Sequence, residues 1–479
     1  RFLAAMLSPE EGDRRFTFAF TGHSNVAGHG NYFDQTYPFV MARALSSLFH
    51  DAGVHLAVQN FAVGGGSSVP YFSYCARDVM GPEVDVASWD TAMVESGKSE
   101  KQGEAFVRGV LALPHPPAAV LVMDGRTRAP RWGSIYSERA WFVSMDHPEQ
   151  GFDLANNKTR IEALRWLHPD CRQIAPNGTP KSVACRKEKW LTAGDEMEWR
   201  IGRKGLLEAG VYVNGRKIGG SCPGMNPWHD GYKLHLMKGN LLAHFFSRVV
   251  TAAVTPLLQA VSSAGSDAQV WQVLQEALQD AQGSMRLSRA LPAPGGDCRS
   301  TGLCSETESL VCSSATTPRV EPQLRALDGN GNVLTATIDQ SNGRKEGEEQ
   351  RCHMGFIDFK YSIAVEKRHG WTKFSLPGLD ASSPSVMVCE PATGWRRDER
   401  MALFDSDAET SWRLSCGGSS RPLKSPTLMD TGKTCYSWVE VKRPKGSGGD
   451  DEGCALEVQV KDSAKTARLS HVIWQGGAM

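Results

Sequence analysis

Hydrophobic positions follow two alternating periods through roughly the first 290 residues. Residues 16–21 (FTFAFT), 54–63 (VHLAVQNFAV) and 118–123 (AAVLVM) are apolar runs of strand length. Between them, residues 37–52 (YPFVMARALSSLFHDA) carry apolar side chains at helical spacing, and residues 240–261 predict a long helix. Strands alternating with helices predict βαβ units and a parallel sheet. Strands that are apolar nearly throughout predict a sheet covered on both faces.

The pattern changes after that. Residues 285–320 are rich in Pro, Gly, Ser and Cys and read as a linker. Short β-type runs follow, at 333–338, 355–365, 385–389, 436–441, 456–460 and 469–474, with turn clusters such as 328–331 (DGNG) between them. The expected organisation is an α/β domain at 1–284, a linker at 285–320 and a β-sandwich-like domain at 321–479. Five tryptophans of this half, Trp371, Trp395, Trp412, Trp438 and Trp474, are either a sugar-stacking platform or core residues. Core packing is the commoner fate.

Composition narrows the class. With 53 basic and 53 acidic residues in 479, the net charge is zero, so no global field attracts nucleic acid. The most apolar long stretch, residues 241–261, is interrupted by His244, Ser247, Arg248, Thr251, Thr255 and Gln259. It reads as a buried globular helix, and no membrane span is expected. Twelve cysteines, none in a Cys-x-x-Cys pair, favour disulfides over metal, and no metal or cofactor is implied. Eight of the twelve lie beyond residue 290, in the β half and the segment leading to it. Two glycosylation sequons begin at Asn157 and Asn177. Together with a first residue that is Arg1 rather than Met, these signs predict a secreted or lumenal protein.

The candidate chemistry starts where the first strand runs into Gly22-His23-Ser24-Asn25-Val26-Ala27-Gly28. A serine at the C-terminal end of a parallel strand stands where α/β proteins bind ligands. The helix that follows offers backbone N–H groups and a positive dipole end to an oxyanion. The competing reading of Ser24 is a helix N-cap.

This segment resembles the first block of the SGNH (GDSL-type) hydrolases, Gly-Asp-Ser-x-x-x-Gly, with His23 in the Asp place. Asn60-Phe61-Ala62-Val63-Gly64 resembles the second block, and the loop Asn226-Pro227-Trp228-His229-Asp230 before the long helix resembles the last. The likeness spans about residues 15–262. It implies an SGNH-like, doubly wound parallel sheet of the flavodoxin-like three-layer kind. Ser24 is then the nucleophile, with the N–H groups of Ser24 and Gly64 as oxyanion donors. Two registers supply the base: His229 oriented by Asn226, which is preferred, or His235 oriented by Asp230. The family's third block, Gly-x-Asn-Asp, has no match. Residues 84–90 (VDVASWD) stand there instead: either the Trp89 indole N–H replaces the missing donor or nothing does, and Asp90 is either a displaced acidic partner or, the commoner case, a solvated strand-end carboxylate.

The function so implied is a serine esterase that removes acetyl-like O-acyl groups, most plausibly from a glycan, with a small ester as the other substrate class. A sugar hydroxyl in place of water would make it an acyltransferase. The alternative class is a catalytically weakened scaffold, a structural or glycan-binding component of an extracellular assembly, favoured by the absent third block and by His23 and Asn226 each standing where the family has Asp.

Overall fold

The computed structural model describes residues 1–28, 33–64, 66–91, 95, 99–123, 131–144, 211–213, 216–218, 232–285, 291–294, 310–315, 324–338, 361–379, 385–390, 410–424, 427–428, 435–438, 453–461 and 466–476. The first half runs α1 (Phe2–Leu7), β1 (Arg15–Phe20), α2 (Ser24–Ala27), α3 (Tyr37–Asp51), β2 (His55–Asn60), α4 (Ala76–Met80), β3 (Val86–Trp89), α5 (Ser99–Leu111), β4 (Ala119–Val122), α6 (Arg131–Ile135) and β5 (Trp141–Ser144). A short hairpin, β6 (Val211–Val213) and β7 (Arg216–Ile218), precedes the long helix α7 (Tyr232–Ser263) and α8 (Asp267–Met285).

Strands β1 to β5 form one parallel sheet in the order β2-β1-β3-β4-β5. Its two faces are both covered, which explains the near-continuous apolar runs. Phe16, Phe18 and Phe20 of β1 pack with α3 and α7 through Tyr37, Met41, Leu242 and Phe246. Ala19, Ala87, Val120 and Val122 face the other way, onto Ala76, Val79, Phe106 and Val110 of α4 and α5. The sheet is therefore doubly wound. From β1 the chain moves outward to β2, then returns past β1 to β3, so the strand order reverses between β1 and β3. That reversal opens a crevice at the carboxyl ends of the two strands.

Helix α7 lies against α3 because Gly239 has no side chain. A Cβ there would fall 2.5 Å from Val40 Cβ and 2.7 Å from the Tyr37 carbonyl oxygen. Gly239→Ala is expected to lower stability by about 1–3 kcal/mol through overpacking. That outweighs the roughly 1 kcal/mol that Ala gains over Gly in a helix. A urea midpoint equal to or above wild type would refute the close approach.

The reading of residues 241–261 as a buried helix holds only for its first part. Leu241, Leu242, Ala243, Phe246 and Val250 are core residues, whereas Leu258 is 59% exposed. The stretch Lys238–Ser263 is long and apolar enough, by length and composition alone, to cross a membrane, and about a third of its most apolar part is buried. Half of the polar interruptions are Ser or Thr, and Thr251, Thr255, Ser262 and Ser263 bond carbonyls of their own helix four residues back.

The second half is antiparallel throughout. It comprises β8 (Leu310–Ser314), β9 (Ala326–Leu327), β10 (Val333–Leu334), β11 (Thr337–Ile338), β12 (Tyr361–Glu366), β13 (Thr372–Leu376), β14 (Val386–Cys389), β15 (Thr410–Cys416), β16 (Ser419–Pro422), β17 (Thr427–Leu428), β18 (Cys435–Trp438), β19 (Cys454–Val460), β20 (Thr466–Leu469) and β21 (His471–Gln475). These form sheets ordered β10-β9-β13-β19-β15-β16, β11-β12-β20 and β17-β18-β14-β21-β8 around a shared core. Trp412, Trp438 and Trp474 are buried in that core, and the Arg413 guanidinium sits 4.0 Å over the Trp371 ring. Trp395 lies outside the described residues.

The stretch read as a linker carries structure. Leu291 packs on the α/β core, Arg108 donates to the Pro292 carbonyl at 2.7 Å, and β8 is an edge strand of the last sheet. A few apolar residues inside a Pro/Gly/Ser composition anchor it. The last sheet faces two ways. Val386, Val388, Val472 and Trp474 enter the β core, while Cys312, Cys389, Cys435 and Ile473 join the α/β core. Disulfides join Cys389–Cys435 and Cys416–Cys454 across paired strands, and Cys75–Cys312 across the two halves.

Candidate active site

Three loops converge where the strand order reverses. The β1–β3 ladder continues past the strands, with Thr21 N–H donating to the Ser88 carbonyl and His23 N–H to the Asp90 carbonyl at 3.2 Å. On the other side, Phe61 N–H donates to Phe20 and Val63 N–H to Gly22 at 3.1 Å. The segment that presents Ser24 is thus held from both neighbours, and Gly64 lies one residue past the Val63–Gly22 bond. Gly22 is required by this crowding: a Cβ there would overlap the Val26 side chain and fall 3.0 Å from the Asp90 carbonyl oxygen.

Asn60, in the second sequence block, is a positioning residue. Its Nδ2 donates to the Val26 carbonyl at 2.8 Å and the Thr36 hydroxyl at 3.3 Å, and its Oδ1 accepts from Ala62 N–H at 3.1 Å. One buried amide therefore ties the end of α2, the start of α3 and the loop after β2.

Ser24 is the first residue of α2, half-buried, and the N-cap is His23. The capping reading of Ser24 is replaced: His23 Nδ1 accepts the Asn25 N–H at 3.3 Å. The same Nδ1 lies 3.5 Å from Ser24 Oγ, and Nε2 lies 3.8 Å from Asp90 Oδ1. Asp90 is not solvated as expected but 5% exposed, and its Oδ2 accepts from the Tyr37 hydroxyl at 3.1 Å. Ser24, His23, Asp90 and Tyr37 therefore line up from the crevice inward.

His235 is fully buried in the first turn of α7. Its Nδ1 accepts the Tyr37 N–H at 3.2 Å, which satisfies a backbone donor at the start of α3. Its ring stacks on Tyr37 at 6.1 Å. The Trp89 indole N–H donates to Ser68 Oγ at 2.7 Å, and that hydroxyl also meets Thr91 Oγ1 at 2.8 Å. His229, Asn226, Asp230 and the sequon residues Asn157 and Asn177 lie outside the described residues. Among the described residues no group of His, Cys, Asp and Glu is placed to hold a metal ion.

The sequence offers Asp90 as a displaced acidic partner only as the lesser reading, and does not show that His23 is the residue it approaches. The signal available was topological: both residues follow strands that flank the reversal. Nothing in the local sequence marks Tyr37 as the partner of Asp90.

No family model matches the chain, and no curated protein matches it. Among solved structures, it is similar to a two-domain esterase (CEX) active on acetylated mannans, co-crystallised with mannopentaose. The identity is 13%, over 97% of this chain and 92% of that one, with a TM-score of 0.39. It is also similar to LAE5, an alpha/beta hydrolase enzyme from the metagenome of Lake Arreo, Spain, at 15% identity over 36% of this chain and 90% of that one, with a TM-score of 0.22. At such distances the functional reading rests on the site itself.

Proposed function

We propose that the chain is a secreted or lumenal serine esterase of the SGNH type that removes acetyl-like O-acyl groups from a glycan. The observation that carries this reading is the placement of Ser24. It is half-buried at the carboxyl end of β1, at the strand-order reversal, with a histidine nitrogen 3.5 Å from its hydroxyl. The three disulfides among the described residues support an oxidising compartment.

In this mechanism a histidine takes the Ser24 proton as Oγ attacks the ester carbonyl. Backbone N–H groups of Ser24 and Gly64 receive the oxyanion. Trp89 is left out of that set, because its N–H is engaged by Ser68. The sequence nominees for the base are His229, with Asn226, and His235, with Asp230. The histidine then protonates the leaving alkoxide, and water clears the acyl-enzyme.

Labelling with a fluorophosphonate probe tests the reading. Wild type is expected to label and to hydrolyse an aryl acetate and an acetylated oligosaccharide, and Ser24→Ala to do neither. A well-folded wild type that does not label would transfer the reading to the scaffold class.

A further inference from the structure

We infer that the histidine taking the Ser24 proton is His23, backed by Asp90, so that base and nucleophile are neighbours in the chain. The inference rests on the reading of Ser24 as nucleophile. The tautomer follows from the hydrogen bonds. Nδ1 accepts the Asn25 N–H, so in the neutral ring the proton sits on Nε2, facing Asp90 Oδ1 at 3.8 Å. That single Nδ1 lone pair also lies 3.5 Å from Ser24 Oγ, so it is shared between the two contacts, and taking the Ser24 proton means giving up the Asn25 N–H. Base–nucleophile contacts of this length are common before substrate binds and tighten on binding.

Burial is graded in the way a base needs. Ser24 is half-buried at the crevice, whereas the side chains of His23 and Asp90 are 3% and 7% exposed. An imidazolium formed there would sit beside a carboxylate in a setting with little solvent. Asp90 is in turn held by the Tyr37 hydroxyl at 3.1 Å. Around that tyrosine lie, among others, the Phe20 ring, the His235 ring and the Lys238 ammonium, the last 5.7 Å from the Tyr37 ring centroid. The sequence placed a histidine where the resembled family carries Asp, and here that histidine meets a carboxylate supplied from β3.

The steps balance. The Ser24 hydroxyl proton passes to His23 Nδ1 as the Oγ–C bond forms and the carbonyl π pair moves to oxygen. Collapse of that oxyanion breaks the bond to the leaving oxygen, which takes the proton from Nδ1. A water then gives its proton to Nδ1 and its oxygen to the acyl carbon. The second collapse returns the proton to Ser24 Oγ and releases the acid.

A purely structural His23 would act only as the N-cap of α2. His23→Asn separates the two roles, because Asn is a strong N-cap and still offers an oxygen to Asn25 N–H. The expected result is a fluorophosphonate labelling rate lowered about 10²–10⁴-fold, with the melting temperature unchanged or raised. Asp90→Asn keeps an acceptor for Tyr37 but removes the charge. A carboxylate beside a histidine favours the imidazolium, so its loss moves the acid limb of the labelling-rate pH profile to lower pH. If His23→Asn labels at the wild-type rate with an unchanged pH profile, the inference is overturned. Retained labelling there, with loss in Ser24→Ala and His229→Ala, would keep the esterase and assign the base to His229. A folded wild type that never labels would remove the proposed function and this inference together.

Discussion

Cys75→Ala combined with Cys312→Ala is expected to split the thermal unfolding of the protein into two transitions. The bridge spans 237 residues and is the disulfide among the described residues that crosses from the α/β half to the β half. In the loop-closure picture, a loop of that length constrains the unfolded chain by roughly 5 kcal/mol. Removing Cys416–Cys454, with a separation of 38 inside the β half, costs about 4 kcal/mol by the same relation and leaves the joint intact. Both members of the long bridge are completely buried, within the core that also holds Val79, Met80 and Ile473. Cys312 N–H additionally donates to Asp78 at 3.0 Å, so the loss weakens the alignment of β8 on α4. Calorimetry on the double variant, with Cys416→Ala/Cys454→Ala as the comparison, checks this. A single transition with only a uniform shift in the Cys75/Cys312 variant would show that apolar packing, not the bridge, couples the halves.

The part of this architecture legible in the sequence is the part that local pattern dictates. β1 and β4 are buried on both faces because helices cover both, so they appear as nearly unbroken apolar runs, whereas the edge strand β2 (HLAVQN) leaves His55 exposed and carries Gln59 and Asn60. In the β half the register of burial is alternate, and β13 shows the consequence. Its sequence TKFSL buries Thr372, Phe374 and Leu376 and exposes Lys373 and Ser375, so the polar half hides the strand. β15 (TSWRLSC) is masked in the same way. β8 escapes because five residues of strand sit inside a Pro/Gly/Ser-rich stretch, and only pairing with β21 reveals them. At the proposed site, motifs read along the chain nominate Ser24 and Gly64. The approach of Asp90 to His23 does not, since it depends on β3 returning beside β1. Nor does the bond from Tyr37 to Asp90, 53 residues apart.

The same joint should govern the acid stability of the protein, through two groups that act in opposite directions. His471 lies in β21, 5% exposed, with Nδ1 2.8 Å from Ser470 Oγ and its ring 5.9 Å from Tyr71. Burial pushes its pKa down to about 3. In the unfolded chain a histidine titrates near 6.5. The unfolded state therefore takes up a proton below about pH 6.5 that the folded state refuses until about pH 3. Stability from this group is complete above pH 6.5 and falls by about 1.4 kcal/mol per pH unit below it, roughly 5 kcal/mol by pH 3. Asp78 opposes this. Burial raises its carboxyl to about 6, against the lowering by the Cys312 N–H and Arg77. Between about pH 6 and pH 4 the folded state gains a proton that the unfolded state lacks, so Asp78 stabilises the fold as pH falls through that window. The two slopes are equal and opposite there, and the larger shift of His471 wins outside it. Wild type is expected to lose stability from pH 6.5 to 6, hold level in these terms to about pH 4, and fall again below. Asp78→Asn removes the counterweight and should fall continuously from pH 6.5. His471→Gln removes the penalty and should gain stability relative to wild type as pH drops. Urea midpoints of the three proteins at half-unit steps from pH 7 to 3.5 give the differences directly. Parallel curves for wild type and His471→Gln would mean that His471 is protonated within the fold.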